Sequence, residues 1–122
     1  MINVLAVAVG GAVGSVLRYG VARALASASY PWATQGVNVL GSFFIGVAFV
    51  LLAHRYGSHH PAYQLVIVGL LGGFTTYSSF SMDALRLLEE GRAGTALAYV
   101  GSTVALCLAA AALGLMLGRR LV

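Results

Sequence analysis

Four long apolar runs divide the chain, from about residue 2 to 26, 33 to 54, 62 to 89 and 94 to 118. Each reaches the ~20 residues that a helix needs to cross a bilayer. The connections at 27–32, 55–61 and 90–93 are short, and Tyr30, Trp32, Tyr56 and Tyr63 stand near run ends, where amphipathic rings settle at the membrane interface. The pattern predicts a single all-α transmembrane domain over residues 1–122, a compact bundle of four membrane-spanning helices. It marks no soluble domain, linker or long-period repeat.

The third run departs from a plain apolar pattern. From Gly69 to Phe80 it reads GLLGGFTTYSSF, a glycine pair followed by hydroxyls. Gly72 and Gly73 weaken a helix, each by roughly 1 kcal/mol relative to alanine. Thr75, Thr76, Ser78 and Ser79 then offer partners to the backbone groups that a break frees. Two readings follow: a helix broken at its midpoint around an ion, or a tightly packed span whose small residues let a neighbour approach. In the first, a new helix begins near Ser78 and its free N–H groups favour an anion. Phe80, just inside that helix, either packs or turns its electropositive ring edge toward the anion. Asp83 and Arg86, three residues apart, make a helical ion pair.

The other runs carry polar residues of their own. Gly10 and Gly14 form a GxxxG pair for close packing. Arg18 follows one turn later, either facing a partner or watery cavity or snorkelling to the interface. In the second run Thr34, Asn38, Gly41 and Ser42 share one helical face. Asn38 needs partners in hydrocarbon; it bonds a neighbouring helix or presents its N–H donors to an anion. In the fourth run Tyr99, Thr103 and Cys107 recur every four residues, as interhelical glue or as a polar track for an ion, and Gly114 with Gly118 repeats the close-packing pair.

Composition narrows the function. The chain is 60% hydrophobic and 8% charged, which places it in the membrane class. Its basic residues are all arginines, and the net charge of +4 is spread along the chain rather than gathered into the stripe that a nucleic-acid surface requires. With the N-terminus on one side, Arg55, Arg119 and Arg120 fall on that side and Arg18, Arg23, Arg86 and Arg92 toward the other. Three against four sets no orientation. Such a chain is suited to inserting both ways, so that two opposed copies supply an inverted repeat; a partner fixing one orientation is the alternative. The stretch around Ala24-Leu25-Ala26 looks like a cleavage site, but no basic residue precedes the apolar run and Arg18 and Arg23 follow it, so the segment is expected to be a retained span. Cys107 is expected to act as a small buried hydrophobe. His54, His59 and His60 read as a solvated loop rather than a metal site. No nucleophile–base set, phosphate loop or dinucleotide fingerprint is present, and an enzyme is the least supported class.

Three stretches in order, GGAVGSVLRY (Gly10 to Tyr19), VNVLGSFFIG (Val37 to Gly46) and GLLGGFTTYSSF, make the chain similar to the Fluc/CrcB-type fluoride channels over essentially its whole length. The resemblance implies an antiparallel, dual-topology homodimer in the cell membrane, with two pores that passively export fluoride. It also implies a structural sodium ion at the dimer centre, held by the backbone carbonyls of Gly72 and Thr75. Asn38 matches the family's pore asparagine and Phe80 the second of two pore phenylalanines, while Tyr77 stands where the first is usual. Tyr99, Thr103 and Cys107 match a fourth-span polar track, with a thiol where a hydroxyl is more usual, and Arg18 matches a vestibule arginine. Ser79 adds a hydroxyl donor near the new helix start. Such donors replace the water of a small, strongly hydrated ion without a fixed counter-charge that would hold it too tightly. Two other classes compete. A small multidrug-type transporter of cations also has four spans, but it relies on an acid within a span, and residues 1–82 contain none. A non-transporting membrane assembly subunit would use the polar stripes only as glue.

Overall fold

A computed structural model describes residues 1–122. Helix α1 covers Ile2–Ala24 and α2 covers Trp32–Tyr56; a third span, Pro61–Glu89, is split into α3 (61–74) and α4 (Tyr77–Glu89), and α5 covers Ala93–Leu121. Four helical segments are therefore long and apolar enough to cross a membrane. The fold is all-α and its third span is interrupted, as the apolar runs predict.

The turns are built by local chemistry. Pro61 opens α3, where its missing N–H is no loss, and His60 Nδ1 accepts from the Ala62 N–H at 3.1 Å. Between α4 and α5, Gly91 adopts φ +73°, with Gly91 N bonded to Leu88 O and Arg92 N to Leu87 O. This is a Schellman motif, which needs a residue free to enter the left-handed region. Arg92 then reaches across to the Ser29 carbonyl at 2.8 Å and ties the α1–α2 connection to the start of α5.

Two glycine seams hold the bundle. A methyl group at Gly10 would collide with the Leu65 carbonyl, one at Gly14 with the Leu70 carbonyl, and one at Gly73 would lie 2.6 Å from Gly11 O. Helices α1 and α3 thus touch backbone to backbone. The second seam joins α2 and α5: a methyl at Gly46 would lie 2.5 Å from Ala111 O, and one at Gly114 would collide with Phe43 O. Without a hydrophobic drive between helices in lipid, this intimate packing supplies much of the cohesion. A third contact sets α4 on α5 through Phe80, Leu87, Ala96 and Tyr99.

The structure corrects one expectation. The glycine pair does not break the span: Gly72–Phe74 is helical, and the chain leaves the helix at Thr75 and Thr76, both extended, before α4 begins at Tyr77. Gly73 is small because α1 presses against it, and the hydroxyl residues make the break. A second departure is the π-helical backbone of Gln64–Leu71 within α3, a widened turn of the kind that gathers at functional sites.

Candidate functional site

An interrupted helix frees backbone groups that hydrocarbon cannot satisfy. Here most find partners. Thr75 returns both its N–H (3.0 Å) and its hydroxyl (2.9 Å) to the Leu71 carbonyl. Asn38, reaching over from α2, pairs with Thr76 twice: its Oδ1 accepts from Thr76 N at 2.7 Å, and its Nδ2 donates to Thr76 O at 3.0 Å. The carboxamide stands in for the peptide group of a neighbouring strand. Arg18 Nε, from α1, donates to Gly73 O at 3.0 Å. Thr76 Oγ1 caps α4 by accepting from Ser79 N at 3.2 Å. The carbonyls of Gly72 and Thr75 accept no hydrogen bond from the rest of the chain.

Beside the break lies a groove of about 340 Å³ between α2, α4 and α5, lined by Asn38, Ser42, Thr76, Tyr77, Phe80, Thr103 and Cys107, with Gly41, Ile45, Thr75, Val104 and Leu108 completing it. No charged side chain faces it. Asn38 keeps one amide hydrogen uncommitted, since Nδ2 carries two and Thr76 takes one. The Phe80 ring is held between two tyrosines, at 5.5 Å from Tyr77 and 5.4 Å from Tyr99, tilted to both. Tyr77 itself is 79% exposed on the outer edge. Thr103 is buried and its hydroxyl oxygen accepts from Gln35 Nε2 at 3.0 Å. The α4 N-terminus contributes partial positive charge to this region.

The remaining residues singled out from the sequence lie elsewhere. Ser79 and Arg18 line a small crevice of about 70 Å³ on the other side of α4, together with Thr34 and Thr76. Residues 79 and 80 point apart because consecutive helical positions turn by about 100°. Tyr99 is fully buried and its hydroxyl has no hydrogen-bond partner, although Thr34 and Asp83 lie beside it. Asp83 pairs with Arg86 at 3.4 Å and also accepts from Thr34 Oγ1 at 2.6 Å. Groove and crevice meet at Thr76, which lines both. Gln35 was not among the residues picked out by pattern. Its signal was available, because it is a second carboxamide in an apolar span, three residues before Asn38 and thus near the same face.

With this geometry in hand, comparison with known proteins is specific. The family model described as CrcB-like protein, Camphor Resistance (CrcB), matches residues 5–115. The fluoride-specific ion channel FluC of Agrobacterium fabrum is 44% identical over 124 residues, 99% of each chain. That of Rhizobium etli is 46% identical over 125 residues, covering both chains fully, and that of Ruegeria sp. is 46% identical over 123 residues, 98% of this chain and 96% of the relative. Four apolar spans, a break latched by Asn38 and full-length similarity of this order place the chain in the CrcB-like family, to which it belongs.

Proposed function

We propose that this chain is a fluoride-selective channel that conducts passively across the cell membrane, with two pores in an antiparallel homodimer. The observation that carries the reading is the groove. Asn38, Phe80, Thr103 and Tyr77 come from three helices to one uncharged surface beside a helix start, and full-length relatives 44–46% identical to this chain are named fluoride-specific ion channels. A fluoride ion shedding water there meets the free Asn38 N–H, the Thr103 hydroxyl, the Phe80 ring edge and the Tyr77 hydroxyl. These neutral donors replace hydration without trapping the ion, as conduction requires. Cys107 continues the lining one turn beyond Thr103. Arg18, with Ser79 in the crevice, raises local anion concentration ahead of the groove. Tyr99, fully buried, braces Phe80 from behind the groove.

Two features support the homodimer. Tyr77 is exposed near the middle of the third span, and the groove lacks an outer wall that a second copy would provide. The near-balanced arginines allow that copy to lie upside down. A structural sodium ion fits the break, because the Gly72 and Thr75 carbonyls have no other partner and a hard cation takes oxygen ligands. Bound there, it would neutralise the carbonyl dipoles freed by the interruption.

The test is purified protein in liposomes loaded with fluoride or chloride, with release followed by ion electrodes. Rapid fluoride release with negligible chloride release is expected. Release of neither ion would overturn the channel and leave the polar stripes as packing.

A further inference from the structure

Gln35 does not line the groove, yet it is 6% exposed and touches Thr103, itself 4% exposed. Its Nε2 lies 2.9 Å from Ser102 Oγ and 3.0 Å from Thr103 Oγ1. An amide nitrogen donates and does not accept, so both hydroxyl oxygens act as acceptors. Ser102 explains why the nitrogen faces this way. Its hydroxyl donates to the Tyr99 carbonyl at 3.4 Å, leaving its oxygen to receive a hydrogen.

The consequence falls on Thr103. A threonine in a helix ordinarily donates to the carbonyl a turn behind it, which here would turn its lone pairs toward the groove and repel an anion. Instead its oxygen receives Gln35, and its own hydrogen makes no bond to any group of the chain. From the reading of the groove as a fluoride path, on which this step rests, we infer that Gln35 is a positioning residue that fixes Thr103 as a donor toward the ion. The relay runs Gln35 to Thr103 to fluoride, with Ser102 and the Tyr99 carbonyl holding the amide in register. Gln35 touches no ion; it decides which pole of the Thr103 hydroxyl the ion meets. Selectivity for an anion at this point of the track is thus set from a buried side chain outside the lining.

The experiment is a double-mutant cycle on fluoride efflux from liposomes, using wild type, Gln35→Met, Thr103→Val and the double variant, each first checked by size exclusion. Methionine keeps the length and bulk of glutamine. Each single change is expected to slow efflux about tenfold, and the pair no more than either alone, because both remove one directed donor. Wild-type efflux from Gln35→Met overturns the inference, as does a double variant that loses the product of the two effects. A wild type that releases no fluoride overturns the channel reading instead, and this inference with it. Should Gln35→Met aggregate, the side-chain amide NMR signals of Gln35 in the wild-type protein decide. Two slowly exchanging protons are expected, and a freely exchanging pair overturns the assignment.

Discussion

Helices α2 and α5 meet in two different ways along their length. Toward one end, Gly46 and Gly114 bring backbone against backbone, so closely that a single methyl group would strike the Ala111 or Phe43 carbonyl. Farther along the same two helices, Asn38 and Thr103 face a groove of about 340 Å³. The first region is apolar, and its glycines leave no space between the two backbones. The second carries polar groups whose hydrogens are not fully used. The difference teaches how a small membrane chain divides its labour: glycines supply cohesion without side chains, which frees the bulkier polar residues to hold space open. Polar groups that hydrocarbon would penalise are tolerated where an ion and its water take the missing places.

That contrast can be broken from either side. Gly114→Val, on the seam, is expected to have the largest effect. Overpacking against Phe43 O and Val47 N would cost about 3 kcal/mol or more, seen as loss of the monodisperse peak in size exclusion and of all flux; a well-folded variant would contradict the seam. Asn38→Asp, on the groove side, is expected to abolish fluoride efflux while the protein stays monodisperse. It puts a negative charge in the path and removes the donor to Thr76 O, so robust efflux would refute the role of Asn38. Phe80→Ile should lower efflux about tenfold by removing a ring edge of modest attraction, with the fold retained, and an unchanged rate would reduce Phe80 to packing. Gly101→Ala sharpens the seam argument from below. Nothing lies within 4 Å of the added methyl, so the variant should gain about 0.5–1 kcal/mol from helix propensity alone, read as a slightly higher melting temperature; a loss of stability would contradict it.

The four spans were legible because hydropathy sums over some twenty residues, so an error at either end hardly matters. The observed bounds, such as Trp32–Tyr56 and Ala93–Leu121, differ from the expected ones by a few residues. The break is legible at the middle of the third span, and a helix start near Ser78 agrees with the observed Tyr77; what the sequence leaves open is the role of the glycine pair. A glycine pair has two physical uses, weakening a helix and admitting a neighbour, and sequence does not show the neighbour. Here α1 is that neighbour. The π-helical turn of Gln64–Leu71 left no trace, because a run apolar on every face has no periodicity to distort. In the candidate site, the four-residue spacing of Tyr99, Thr103 and Cys107 correctly puts them on one side of α5. Tyr99 nevertheless lies behind the groove rather than in its lining, because Phe80 covers it. Ser79 and Phe80 are neighbours in sequence, but a helix sends adjacent residues to different sides, and they line different cavities. Gln35 lies at the edge of the stripe of Thr34, Asn38, Gly41 and Ser42, three residues before Asn38, and its partners on α5 are invisible to a pattern read along one helix.

The latch at the break also bears on how the chain is made. Every side chain from another span that satisfies the interruption, Arg18 on Gly73 and Asn38 on Thr76, is carried by a helix that precedes it in the sequence. Synthesis runs from the N-terminus, and earlier segments are in place first. The third span, which would enter the bilayer with exposed peptide groups if it arrived alone, is therefore delivered to partners already waiting. Translation order itself serves as a chaperone for the one segment that is least able to stand in lipid unaided.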